Sequence, residues 1–136
     1  MKAKQAIKFG ALLLALACNQ AAQAATTALN CEGTNTRSDG NVTRYNFTVL
    51  VDRESGHIFG FPGVIASACV IAPNIDSKIT HEISESDYIQ KCVSDIGVSV
   101  ISINRYNMSM ESITRFQSGG FWQGKYRCSP AGERKF

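Results

Sequence analysis

Four cysteines are spread widely along the chain, and they limit what residues 25–136 can fold into. They are Cys31, Cys69, Cys92 and Cys128, and the shortest interval between two neighbours is the one from Cys69 to Cys92. Zinc sites use close C-x-x-C pairs or nearby histidines, so this spacing favours two disulfides and no metal site. Three pairings are possible. We favour Cys31 with Cys128, which joins the ends of the domain, and Cys69 with Cys92, which closes a shorter loop.

Disulfides persist in oxidising compartments, and the first 24 residues have the features of a secretory signal peptide. Three lysines between residues 2 and 8 precede an apolar run over 9–17, and Ala22-Gln23-Ala24 supplies the small residues of a cleavage site. We therefore expect a bacterial periplasmic or secreted protein whose mature form is residues 25–136. Because the apolar run is shorter than the roughly 20 residues that cross a bilayer, no transmembrane segment is expected in the mature chain.

Cys18 supports a second interpretation of the same segment. It follows Leu14-Ala15-Leu16-Ala17 and could become the lipid-modified N-terminus of a membrane-anchored lipoprotein. The position three residues before such a cysteine usually carries a larger apolar residue, and here it is Ala15. Cleavage after Ala24 fits the sequence better.

The charge of the mature domain argues against binding nucleic acid through bulk electrostatics. The full sequence has 14 Lys and Arg against 11 Asp and Glu, a formal charge of +3. Removal of the signal segment takes three lysines away and leaves 11 residues of each sign, whereas proteins that bind polyanions by bulk charge keep an excess of cations. The charges are nevertheless uneven, since carboxylates concentrate over 76–95 and cations from residue 105 onward.

Alternating apolar and polar residues predict an all-β fold. The clearest alternation covers residues 45–51, with turn-forming residues on both sides. Further strands are predicted at 57–61, 64–72, 78–83, 97–106, 108–116 and 121–128. Segment 64–72 is nearly all apolar, which suggests a central strand, although a buried helical turn has the same composition. Segment 87–94 is ambiguous between a strand and a short helix.

These segments amount to about seven or eight short strands with closely spaced turn signals. That pattern is typical of a single small antiparallel β-barrel or β-sandwich, here stapled by two disulfides. A short polar tail follows Pro130. We expect one β domain over residues 25–136.

The sequence contains no catalytic or cofactor motif that we recognise. Its two histidines, His57 and His81, lie in predicted strands, and pairing with Glu54 or Glu82 would still lack a third partner for acid-base catalysis. Asp52 and Glu54 could form a carboxylate pair, but such pairs are common at solvent-facing turns. All four mature thiols are expected in disulfides, so a nucleophilic cysteine is not expected either. We predict no catalytic residues, no cofactor and no metal.

Segment 118–127 is the strongest candidate for a binding surface. It contains Phe121, Trp122, Lys125 and Arg127 beside three glycines, and aromatic residues and arginine are enriched at the energetic centres of interfaces. Strand alternation directs Trp122 towards the core and the other three residues outwards. We predict that these four residues bind a partner.

The sequence is consistent with two main classes of function and, in third place, with another. The first is a non-enzymatic, inhibitor-like binding protein of the bacterial envelope that recognises a protein or a glycan. Exported lysozyme inhibitors and immunity proteins are similar in size, cysteine use and β content, which is a general analogy without a matching motif. The alternative is a carrier that holds a small apolar ligand in a barrel cavity lined by residues 45–51 and 98–103. The third is a hydrolase whose site is unidentified.

We predict that the mature protein begins at residue 25 and has no free thiol, because an oxidising destination converts scattered thiols into disulfides. Mass spectrometry of the unreduced protein from its own host should show residues 1–24 removed and two hydrogens lost for each of two disulfides. Retention of residues 1–24 together with four reactive thiols would contradict both expectations.

Overall fold

The computed structural model describes residues 25–66, 68 and 77–133. Within these ranges the chain forms eight β-strands in one antiparallel sheet. The strands are β1 (Thr26–Arg37), β2 (Val42–Asp52), β3 (Ile58–Phe59), β4 (Ser77–Ile83), β5 (Asp87–Ser94), β6 (Gly97–Asn104), β7 (Ser109–Phe116) and β8 (Phe121–Pro130). Two short 3-10 helices cover Gly63–Ala66 and Ala131–Glu133. The prediction of an all-β fold with seven or eight strands is confirmed.

The first long strand pairs with the last. The spatial order is β3-β2-β1-β8-β7-β6-β5-β4, so an N-terminal hairpin and a C-terminal meander meet at the β1–β8 ladder. That ladder runs from Leu29 opposite Pro130 to Arg37 opposite Trp122. The sheet curls into a half-barrel, with the core on its inner face and solvent on its outer face. Of the two predicted architectures, the barrel-like one therefore applies, and the barrel is open along one side.

The core is built from alternate residues of the strands, because successive side chains of a strand point to opposite faces. The 3-10 helix Gly63–Ala66 packs inside the curl against β6, β7 and β8. Its Ile65 and Ala66 are completely buried. The central cluster comprises Leu29, Cys31, Val49, Val51, Ile58, Ile65, Ala66, Ile101, Ile103, Met110 and Tyr126.

Polar side chains inside the curl satisfy buried backbone groups, and one of them links the two edges of the half-barrel. In the described part of the chain, β3 pairs with β2 alone and β4 with β5 alone, so the two edges share no backbone ladder. Across the open side, the Ile58 N–H of β3 donates to the buried Oε1 of Gln90 of β5 at 2.9 Å. Inside the curl, the Ala68 N–H donates to Ser99 Oγ of β6 at 3.0 Å. Ser99 also shares a 2.7 Å hydrogen bond with Thr114. These bonds satisfy backbone groups that would otherwise be buried without partners.

A disulfide joins Cys31 to Cys128, as predicted. The two residues lie directly opposite each other in β1 and β8, with Cα atoms 4.0 Å apart. The bond spans 97 residues, and on the chain-entropy account a loop of that size contributes about 4 to 5 kcal/mol to stability. Cys92 is also a disulfide cysteine and is fully buried. Its predicted partner, Cys69, lies outside the described residues, so that pairing stays a prediction.

Three sequence-based assignments change in the structure. β1 is a twelve-residue strand that the alternation did not reveal, because its inward positions include Gly33 and Asn35 as well as apolar residues. The prediction of a strand over 64–72 is wrong at its start, where Gly63–Ala66 is a helical turn; residues 67 and 69–72 lie outside the described residues. The ambiguous segment 87–94 is strand β5.

We predict that Gly33→Ala destabilises the fold, because Gly33 lies opposite Tyr126 with no room for a side chain. A Cβ there would overlap the carbonyl oxygen of Lys125 and crowd the Tyr126 ring. Overpacking of this kind costs about 1–3 kcal/mol, which equilibrium urea unfolding would measure. Gly132→Ala is the matched control, since nothing lies within 4 Å of the added Cβ. Equal unfolding midpoints for the two variants would refute the expectation.

Candidate binding surface

The structure separates the four residues predicted to bind a partner. Phe121, Lys125 and Arg127 are exposed on the outer face of β8, and Phe121 keeps 39% of its surface accessible. Trp122 points to the inner face, where it packs edge-on against Phe116 with ring centroids 5.0 Å apart. The Arg37 guanidinium lies 4.5 Å from the centre of the Trp122 ring. Three of the four residues therefore share the outer surface, whereas Trp122 packs on the inner face of the sheet.

The neighbouring strands add a cation that the sequence analysis missed. Thr34 of β1 lies opposite both Lys125 of β8 and Arg44 of β2. Strands are spaced about 4.8 Å apart, so the backbone positions of Arg44 and Lys125 are separated by roughly 10 Å across the outer face. The sequence around Arg44 could not predict that it belongs to this surface, because its proximity to Lys125 depends on the pairing of β1 with β8.

Shallow depressions on this outer face run along β1 and β8. One of about 330 Å³ lies among Glu32, Thr34, Arg44, Lys125 and Arg127. A second of about 390 Å³ lies among Thr34, Thr36, Phe121, Gln123 and Lys125, and a third of about 310 Å³ includes Asn30, Glu32, Asn46, Arg127 and Ser129. Since neighbouring depressions share lining residues, we treat them as one surface and name it the β1–β8 groove.

Carboxylates flank the cations of the groove, but among the described residues they form no salt bridge with them. Register places Glu32 opposite Arg127 and Glu111 opposite Lys125. Neither pair approaches within salt-bridge distance, and Arg44 has no ion pair among the residues that the structure describes. All three cations are exposed. Their charges are therefore available to a negatively charged partner.

A polar cluster lies on the opposite, inner side of the same strands. Asn35 Oδ1, Ser112 Oγ and the Tyr126 hydroxyl are buried, and none of them has a hydrogen-bond partner among the residues that the structure describes. They surround Gly124, where an added Cβ would collide with Ser112 and Tyr126. Burial raises the pKa of Tyr126 to about 12, and the nearby Ser112 hydroxyl offsets part of that shift. The phenol therefore stays neutral to a higher pH than an ordinary tyrosine does.

Glu54 and Glu82, the candidate acid-base partners of the histidines, form no ion pair with them in the described structure. Asp52 Oδ1 accepts the backbone N–H groups of Glu54 at 2.9 Å and Ser55 at 3.4 Å, closing the turn after β2. The hydrogen bond from Glu54 is the main reason that the Asp52 pKa is lowered. Neither histidine makes an ion pair with Glu54 or Glu82 in this part of the chain. His57 instead lies against His81.

The described residues contain neither a metal cluster nor a membrane-spanning helix. Within residues 25–66 and 77–133, no three His, Cys, Asp or Glu side chains gather in a metal-binding arrangement. No helix in the same ranges is both long and apolar enough to cross a bilayer. The β1–β8 groove is thus the surface with the clearest chemical character.

Comparisons with known proteins do not assign the chain to a family. No protein-family model matches it. No curated protein and no solved structure matches it either.

We predict that folding stability falls between pH 10 and about 12 because of Tyr126. Its folded pKa of about 12 lies above the ordinary value of 10.0, so the stabilisation is complete below pH 10 and is lost as the pH rises through 12. Urea unfolding at a series of alkaline pH values would measure the decline. Tyr126→Phe should reduce this alkaline decline in the free energy of unfolding.

Tyr106→Phe is the control for this experiment, since Tyr106 is 75% exposed and its replacement should leave the alkaline decline unchanged. Identical pH profiles for Tyr126→Phe and the unmodified protein would contradict the assignment.

Proposed function

We propose that this chain is a non-enzymatic binding domain of the bacterial cell envelope that recognises a negatively charged protein or glycan through the β1–β8 groove. The observation that carries the proposal is the arrangement of Arg44, Lys125 and Arg127 on the two strands that flank β1, where none of them forms a salt bridge with a carboxylate among the described residues. The exposed ring of Phe121 lies at one end of the same surface.

The composition of the groove supports recognition of an extended polar partner. Arginine binds carboxylate or phosphate groups through two parallel hydrogen bonds, and the groove contains two arginines. Hydroxyl and carboxamide side chains, which donate and accept hydrogen bonds, line the same groove; they are Asn30, Thr34, Thr36, Asn46 and Gln123. Because the mature chain is neutral overall, attraction would be local to this face.

The packed interior favours a binding domain over a carrier of apolar ligands. The strands that were expected to line a cavity direct their side chains into the core, where Val49 and Ile101 are completely buried. Ile65 and Ala66 fill the centre of the curl from the 3-10 helix. The carrier hypothesis keeps its place as the alternative, and no specific observation in the described residues favours it.

A location outside the reducing cytoplasm is part of the proposal. The signal-like first 24 residues support it, and so does the Cys31–Cys128 disulfide, since disulfides persist mainly in oxidising compartments. Periplasmic and secreted locations fit these observations equally, and anchoring through Cys18 is the alternative.

We predict that the double variant Lys125→Glu/Arg127→Glu loses partner binding, because it places like charges against an anionic partner. The oxidised protein would be immobilised, exposed to envelope extract from its own host, and the captured partner purified and its affinity measured at increasing salt. Reversal of the two charges should weaken that affinity about tenfold or more.

Phe121→Ala should weaken the affinity for the same captured partner by about 1–2 kcal/mol, or roughly 5- to 30-fold.

The matched control is Lys78→Glu/Lys91→Glu, which reverses two exposed lysines on β4 and β5, on the far side of the sheet. It should bind the partner as the unmodified protein does and show the same salt dependence. Binding that survives the β8 variants, or that does not weaken as salt increases, would remove the groove from consideration.

A further inference from the structure

The curl of the sheet brings together the two histidines of the chain from opposite edges. His57 directly precedes β3, and His81 lies in the middle of β4. Their ring centroids are 4.6 Å apart, and the ring planes are inclined by 43°. Gly56 lies against Glu82 and Ile83 at the same place, so the turn and the edge strand approach each other closely.

Both imidazoles are available to a ligand. His57 and His81 are exposed, and within the described ranges neither ring makes a hydrogen bond or an ion pair. The ring contacts are those between the two histidines and between His57 and Phe59. A neutral imidazole is the form that binds metal ions.

We propose that His57 and His81 form a two-histidine site for a borderline divalent metal ion, Zn²⁺ or Cu²⁺, which bridges the two edges of the half-barrel. Imidazole nitrogen suits these ions, whereas Mg²⁺ prefers oxygen ligands. No third protein ligand joins the pair within the residues described, so water or an external group completes the coordination. The site lies at the edges of the sheet, apart from the β1–β8 groove.

Such an ion would connect strands that share no backbone hydrogen bonds. In the structure described here, the connection between these edges depends on side-chain contacts such as the Ile58–Gln90 hydrogen bond. An ion that binds the folded state and not the unfolded one stabilises the fold in proportion to the logarithm of its concentration. The expected result is a melting temperature that rises with the concentration of Zn²⁺ or Cu²⁺.

The test is thermal unfolding of the purified, oxidised protein with Zn²⁺, Cu²⁺ or Mg²⁺ added separately. Zn²⁺ or Cu²⁺ should raise the melting temperature, a chelator should reverse the rise, and Mg²⁺ should have no effect. Lowering the pH through the histidine range should abolish the rise, because protonated imidazole cannot bind the ion. Calorimetric titration should give one ion per chain, and sedimentation should show an unchanged molecular mass.

His57→Ala and His81→Ala should each abolish the rise, since both side chains are exposed and their removal leaves the core intact. Glu82→Gln is the matched control and should retain it. A rise that survives in either histidine variant, the absence of a rise with both ions, or a stoichiometry of one ion per two chains would overturn the proposal. None of these results depends on whether the groove binds a partner.

Discussion

The pairing of β1 with β8 is the constraint on which the rest of the structure depends. Neither the N-terminal hairpin nor the C-terminal meander can cover its own apolar face, and the two are joined by a ladder whose partners lie nearly the whole domain apart in sequence. Closing so long a loop is entropically costly. The Cys31–Cys128 bond lies inside that ladder and removes much of this cost from the unfolded state.

The same ladder also forms the outer groove and the inner packing of Tyr126 against Gly33. On the outer face it aligns side chains of β8 with those of β1 and β2, which produces the groove. On the inner face it sets the Tyr126 ring across Gly33, so that the ring covers a position without a side chain. The proposed binding surface is thus built on a part of the sheet that a disulfide braces, which suits a surface that must keep its shape.

Local sequence patterns predicted much of the fold and only part of the candidate site. Residues 45–51 and β6 to β8 alternate clearly, so their strands and the outward direction of Lys125 and Arg127 could be predicted. β1 could not be predicted, because Gly33 and Asn35 occupy inward positions where an alternating strand usually has apolar residues. Arg44 and the histidine pair escaped prediction for a different reason: each acquires its neighbour through pairing or curling between distant segments, which no local periodicity records.

The wide separation of β1 and β8 along the sequence has a consequence for biosynthesis. A ribosome completes β1 long before the strand that flanks it exists, so one edge of a twelve-residue strand presents unpaired amide and carbonyl groups throughout elongation. The Cys31–Cys128 bond likewise cannot form before Cys128 has been synthesised. Until β8 pairs with β1, that edge of the hairpin is open to pairing with other chains.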